Sequence, residues 1–364
     1  IPNPLPPKPQ LTLDKDIIET LSKADTAIGR LSGISEALPN PDLFVAMYVR
    51  KEAVLSSQIE GTESSLEDVL EYESENKPKT LPNDVVEVVN YVKAMNYGLN
   101  RINELPLSLR LIKEIHSELM QGVRGQDKTP GEFRKSQNWI GPKGCTLNNA
   151  KFVPPPPHEM MQSLGELEKY MHSKLGYPLL IECGLIHFQF ETIHPFLDGN
   201  GRIGRLLIAF FLCHKEILKK PLLYLSYYFK QNRAEYYDEL TKARENGDFE
   251  SWIKFFLEGV ASVAEEACKA SNKIINLKNK DKNKIIENYK ETSKVSIFHE
   301  KLFDKPIVSI KDISKIMNTT FPTADDICKK LVKLDILKEV TGKERNKLFA
   351  YKQYLDILKK ESSV

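Results

Sequence analysis

The sequence predicts a mainly α chain: a helical bundle carrying one β-hairpin, then a small C-terminal unit of three helices and a second hairpin. Three observations predict it. Apolar residues recur at helical spacing along most of the chain, for example Val85, Val88, Val89, Val92, Met95 and Leu99, then Leu109, Ile112, Ile115 and Leu119. Residues 179–193 are apolar on almost every face, as expected of a buried central helix. Short extended runs separated by turn residues occur in two places, 137–154 and 338–351.

The 364 residues, 41% hydrophobic and 28% charged, suit a globular protein of two or three domains. A balance of 52 Lys plus Arg against 50 Asp plus Glu gives +2, so no global field draws the chain to nucleic acid or anionic membrane. The cysteines at 145, 183, 213, 268 and 328 are odd in number, far apart and without a Cys-x-x-Cys pair, which excludes a zinc ribbon and implies reduced core thiols. A charged-then-apolar leader and an apolar run of about 18 residues are both missing, so a cytoplasmic protein without membrane spans is expected. The first residue is Ile, so the natural start is expected to lie upstream.

In chain order, prolines at 2, 4, 6, 7 and 9 force an extended arm. Leu11–Leu38 reads as a helix, and Pro39-Asn40-Pro41-Asp42 breaks it and opens another from Leu43 to about Glu60, where Gly61 stops it. Ser64-Ser65-Leu66-Glu67 resembles a capping box and starts a helix carrying Leu66, Val69, Leu70 and Tyr72. Helices follow at 84–99 and 109–119, with a loop from Gly122 to Gly131. Gln137–Gly141 and Lys151–Pro154 read as a hairpin around Pro142–Ala150. Helices at 159–172 and 179–193 come next, and Leu222–Phe229 and Tyr236–Leu240 continue the bundle. Trp252–Leu257 opens a last long helix that runs into a lysine-rich stretch.

The chemistry concentrates in His194-Pro195-Phe196-Leu197-Asp198-Gly199-Asn200-Gly201-Arg202-Ile203-Gly204-Arg205. Pro195 and Gly199-Asn200-Gly201 turn the chain sharply, and Ile203, Leu206, Leu207, Phe210 and Phe211 then form the apolar stripe of a new helix. A helix N-terminus offers free N–H groups and the positive end of the dipole to an anion. Arg202 and Arg205 in its first turn call for something negative between them, and a polyphosphate satisfies both. Asp198 suits Mg2+, which binds through one or two carboxylates plus phosphate oxygens, and His194 supplies a base. Alone, a His before Pro is more often structural and a Gly-Asn-Gly is usually a turn; together the pieces describe a polyphosphate site with a base and a metal carboxylate beside it.

These twelve residues resemble the signature of the Fic family at every fixed position. The resemblance extends to Gly131-Glu132-Phe133-Arg134, to Phe152-Val153 with Pro154–Pro157, and to Ser56-x-x-x-Glu60-Gly61, covering roughly residues 1–265. It implies a Fic-type helical bundle, a protein adenylyltransferase that moves AMP from ATP to a Tyr, Thr or Ser hydroxyl of a target protein and releases pyrophosphate. His194 would be the base and Asp198 the Mg2+ ligand. Gly199, Asn200, Gly201, Arg202 and Arg205 would hold ATP. Tyr237 would lie against adenine, although a core or helix-surface Tyr is an equally good reading of it. Ile140, Gly141, Phe152 and Val153 would form a flap that holds the target by strand addition. Ser56 and Glu60 resemble an inhibitory motif, in which Glu60 would pair with Arg205 where the ATP γ-phosphate belongs. Self-modification and a homodimer are further expectations.

The domains expected are an N-terminal helical region at 1–100 with the inhibitory helix, a catalytic core at 101–265, a lysine-rich helical linker at 266–290 and a last unit at 291–364. In that unit, helices at 295–303, 310–317 and 324–334 and a hairpin around Gly342 resemble a winged helix. Its third helix mixes Asp325 and Asp326 with Lys329, Lys330 and Lys333, and 15 Lys plus Arg against 11 Asp plus Glu leave it only +4, short of the footprint of a strong DNA binder. A protein-interaction or dimer module is the favoured use. Three alternatives stay open: the same fold with another phosphate-containing donor, removal of AMP, and a nucleotide-sensing regulator that binds DNA.

Overall fold

The structure, a computed structural model, describes residues 2–72, 83–122, 128–142, 144–173, 176–342 and 346–360. Parts of three expected features lie outside these residues: 123–127 of the loop, 143 at the flap tip and 343–345 at the second hairpin. The side chain of Leu70 does too. The chain forms two compact units, one of residues 1–29 and 49–265, the other of residues 30–48 and 266–364.

Among the described residues the helices, in chain order, begin with α1 Lys15–Glu36, α2 Pro41–Ile59, α3 Leu66–Tyr72, α4 Asn83–Arg101, α5 Leu109–Leu119, α6 Pro157–His172, α7 Leu179–Ile193, α8 Asn200–His214, α9 Ser226–Gln231, α10 Arg233–Asn246 and α11 Phe249–Asn288. Local chemistry sets several ends. Ser108 caps α5 by accepting from the Leu111 N–H, and Pro157 sits at the first turn of α6, where a missing N–H costs nothing. In the first unit α7 is the axis, with every residue from Leu180 to Ile193 buried. Close approach around it depends on two glycines. A Cβ on Gly184 would press at 3.0 Å on Ile253 and Phe256, and Trp252 Nε1 donates to the Gly184 carbonyl at 3.0 Å. A Cβ on Gly98 would lie 2.3 Å from the Phe210 ring, so α4 packs against α8 only without a side chain there.

Two expectations need correction. Residues 222–225 are buried but not helical; α9 starts at Ser226. The flap is not a pair of strands but one antiparallel bridge, Ile140 with Phe152, spanning a short 3-10 turn at Leu147–Asn149.

The second unit contains α12 Lys294–Lys301, β1 Ile307–Ser309, α13 Ile310–Ile316, α14 Phe321–Lys333, β2 Lys338–Glu339, β3 Leu348–Ala350 and α15 Lys352–Lys360. The strands form an antiparallel sheet in the order β1-β3-β2, with Ile307 opposite Ala350 and Lys338 on its other side. Strand β1 and helix α15 were not foreseen. Residues 266–288, expected as a helical linker, form the C-terminal part of α11, and buried Asp281 accepts a hydrogen bond from Tyr351 Oη at 2.8 Å. Among the described residues no helix is long and apolar enough to cross a membrane.

Candidate active site

Helix α7 ends on His194, whose left-handed backbone (φ 50°, ψ 61°) turns the chain, and Gly199 (φ 78°) turns it back into α8. Asn200 fixes the loop between: its Oδ1 accepts from the Phe196 N–H at 2.7 Å and its Nδ2 donates to the Phe196 carbonyl at 2.8 Å. Phe196 is fully buried and stacks on the His116 ring, centroids 3.7 Å apart. His116 takes the Gly131 N–H on Nδ1 at 2.8 Å, so its Nε2 carries the proton and donates to the Asp198 carbonyl at 3.0 Å. Burial pushes that imidazole down to about 4, which keeps it neutral in this role. Buried Arg134 donates to the carbonyls of His194 at 3.0 Å, Ser136 at 3.2 Å and Pro155, tying the loop to the base of the flap. Asn138 adds a 2.9 Å bond to the Phe196 carbonyl.

Burial also pushes His194 down to about 4, although the charge of Glu60 and the Glu191 carbonyl beside it pull the other way. The imidazole is therefore neutral at pH 7. Its Nδ1 is buried and makes no hydrogen bond of acceptable geometry.

Arg205 is buried and held by Ser56 on α2 and by Glu60 just past its end. Its Nε donates to Ser56 Oγ at 2.8 Å, and its Nη2 donates to the Ser56 carbonyl at 3.0 Å and to Glu60 Oε1 at 2.7 Å. Burial pulls the Glu60 carboxyl up, but the charge and hydrogen bond of Arg205 outweigh it and hold the group below the usual carboxylate range. The carboxylate lies over the first turn of α8, where a Cβ on Gly201 would come within 2.3 Å of Oε1. Glycine at 201 makes that position available to an anion.

Arg202 does not point to the same place. Its Nη1 donates to Glu87 Oε2 on α4 at 3.1 Å, both side chains are 3% exposed, and its Nη2 lies 3.6 Å from Asp198 Oδ1. In this structure Arg202 braces Asp198 against α4, whereas the sequence placed both arginines on one polyphosphate. Asp198 stays 38% exposed, with Oδ1 accepting from the Gly199 N–H at 2.6 Å. Among the described residues no three His, Cys, Asp or Glu side chains gather as a metal cluster. A single half-exposed carboxylate beside a helix N-terminus fits Mg2+ when phosphate oxygens complete its shell.

Tyr237 is 37% exposed on α10, with the Arg233 guanidinium 5.5 Å from its ring centre, and it feels the charges of Glu60 and Arg205. At the flap, Ile140 and Phe152 exchange main-chain bonds of 2.8 and 3.1 Å, and Gly141 lies so close to Cys145 that a Cβ would meet Sγ at 2.7 Å. Val153 is exposed, and the Arg244 guanidinium stacks over Phe152 at 4.1 Å.

Four buried carboxylate and histidine partners escaped the sequence reading: Glu52, Glu87, His116 and Glu191. Glu52, whose carboxyl burial pushes up to about 7, accepts from Tyr91 Oη and Ser226 Oγ one turn before Ser56 on α2. Glu191, pushed by burial to about 7, presses on α8 where Gly204 has no side chain. A usable signal existed for Glu52, because a Glu inside an apolar helix is seldom buried without a partner, whereas Glu191 Oε1 is buried with no hydrogen-bond partner.

The model of the Fic/DOC family N-terminal region matches residues 18–100, and the Fic/DOC family model matches residues 106–212. The chain is 28% identical over 208 residues to a probable protein adenylyltransferase of Aquifex aeolicus, covering 56% of this chain and 57% of that one. It is 29% identical over 259 residues to the protein adenylyltransferase Fic of Aedes aegypti, covering 68% and 46%. It thus spans about half the length of these curated relatives. A Fic family protein from Desulfovibrio desulfuricans shares the fold with a TM-score of 0.62 at 18% identity, covering 93% of this chain and 97% of that one. One family model spans the helix that carries Glu60 and the other the turn from His194 to Arg205, and the chain belongs to the Fic/DOC family.

Proposed function

We propose that this chain is a protein adenylyltransferase held in check by Glu60. The observation that carries the reading is the Glu60 carboxylate on Arg205, over the N-terminus of α8 and in the field of the neutral His194. The printed names of the relatives from Aquifex aeolicus and Aedes aegypti support the same activity.

In the reaction, His194 takes the proton of a Tyr, Thr or Ser hydroxyl on the target. The hydroxyl oxygen bonds to the α-phosphorus of ATP, the bond from that phosphorus to the bridging oxygen breaks, and pyrophosphate leaves. The N–H groups at the start of α8 stabilise the charge that develops on the transferring phosphate. Asp198 would hold Mg2+, whose charge offsets that of the phosphates. Arg205 holds the outgoing phosphates only when Glu60 releases it, because one guanidinium face binds one anion at a time. Tyr237 borders the base, and the Ile140–Phe152 bridge with Gly141 and exposed Val153 presents the edge on which the target lies. Self-modification follows when the target segment comes from the same kind of chain.

Incubating Glu60→Gly with ATP and Mg2+ and mapping adducts by mass spectrometry tests the assignment. AMP on a hydroxyl side chain is expected. A phosphate or a different nucleotide on the same residue from a mixed donor pool would replace it with another transferase.

A further inference from the structure

The end of α2, just before the Glu60 carboxylate, leaves one backbone acceptor over. Gly61 (φ 96°) closes the helix: its N–H donates to the Gln58 carbonyl at 3.1 Å, and the Thr62 N–H donates to the Ser57 carbonyl at 3.2 Å. The next carbonyl, that of Ile59, would take the Glu63 N–H in a longer helix, but that group donates to Asp84 Oδ2 at 3.0 Å. Arg233 fills the gap, with Nη2 donating to the Ile59 carbonyl at 3.2 Å.

Charge makes this contact more than a cap. Glu60 carries a negative charge at the negative end of the α2 dipole, and Arg233 carries a positive one in the first turn of α10, at its positive end. Each is badly placed for its own helix, and the contact between the two ends offsets both. The guanidinium also lies over the ring of Tyr237, one turn further along α10 and 5.5 Å away, which aims it at α2. Lys230, on α9, adds a second tie by donating to Gln58 Oε1 at 2.9 Å. Resting on the reading of Glu60 as the restraint, we propose that Arg233 is the positioning residue for that restraint: it pins the last turn of α2 and so keeps the Glu60 carboxylate on Arg205.

The test places Arg233→Met and Arg233→Lys in the wild type and in Glu60→Gly, and follows label from α-labelled ATP into protein and, separately, amide hydrogen exchange across residues 57–62. Met keeps the length of the side chain, has no N–H to give, and removes a cation from the first turn of α10, so that helix is not weakened. Arg233→Met should raise transfer about 3- to 10-fold where Glu60 is present and leave it unchanged in Glu60→Gly. Exchange across 57–62 should quicken by a similar factor. Arg233→Lys keeps a donor for the Ile59 carbonyl and should return both readouts towards wild type. No gain in transfer from Arg233→Met while Glu60→Gly activates, or unaltered exchange across 57–62, would overturn the proposal. So would an equal change in both backgrounds, which would put Arg233 to work on the nucleotide and not on Glu60. If Glu60→Gly itself carries no label, the adenylyltransferase reading is what fails, and exchange across 57–62 alone decides whether Arg233 holds this helix end.

Discussion

At the scale of single residues, the proposed restraint rests on Arg205. Two donated bonds hold it to Ser56 on α2 and a third, charge-assisted, to Glu60 just past the helix end. Removing an interaction of that kind is worth about 1.5–3 kcal/mol, so Glu60→Gly should raise AMP transfer by about 10- to 100-fold in a labelled-nucleotide assay. The bond also fixes the pH dependence. Because Arg205 holds the Glu60 carboxyl below its ordinary range, the pair persists above that depressed value and is lost only as pH falls through it. Wild-type activity should therefore stay low when pH drops from about 8 to about 6, and a rise over that interval would detach inhibition from this carboxylate. Glu52 behaves in the opposite sense. Its folded value of about 7 lies above the unfolded one, so its contribution to stability is present at low pH and disappears as pH rises through about 7. Glu52→Gln keeps a hydrogen-bonding side chain and removes the titration. Its melting temperature relative to wild type should climb as pH goes from about 5 to about 8, by no more than the equivalent of about 3 kcal/mol. A difference that is flat with pH would place the ionised form elsewhere.

At the scale of elements, the Asn200 side chain braces the turn between α7 and α8. Both of its amide atoms are spent on Phe196, so it positions the loop from inside. Asn200→Ala leaves the Phe196 N–H and carbonyl without these partners in a buried place and should cost about 1–3 kcal/mol in chemical unfolding. In a Glu60→Gly background it should also reduce transfer, whereas a stability loss with unchanged turnover would mean that the loop holds its shape without that side chain. Arg134 joins the same turn to the Pro155 end of the flap. That link explains why one main-chain bridge suffices there in place of a regular hairpin.

At the scale of the whole molecule, the helices were legible where local chemistry marks their ends. The 109–119 helix has the bounds its apolar spacing predicts, with Ser108 as its cap in the structure, and the 179–193 helix ends where His194-Pro195 announces. Residues 222–225 were misread because four buried apolar residues look alike in a helix and in extended chain. Strand β1 was missed because its three residues take their identity from Ala350, Phe349 and Leu348, about forty positions away. The chemical turn could be read because its parts are contiguous. The partner that redirects Arg202 could not, since Glu87 lies 115 residues upstream and only the fold brings it near. Glu60 was placed beside Arg205 through the Ser56-x-x-x-Glu60-Gly61 resemblance alone, and the structure brings the two side chains to 2.7 Å.

The central claim is that a neutral His194 drives AMP transfer and that Glu60 restrains it. The most direct test follows label from α-labelled ATP with Mg2+ into protein, for wild type, Glu60→Gly and Glu60→Gly with His194→Ala. Label should rise in the first variant and fall by about 10²- to 10⁴-fold in the second. Equal label in wild type and Glu60→Gly, or label that survives the loss of His194, would contradict the account.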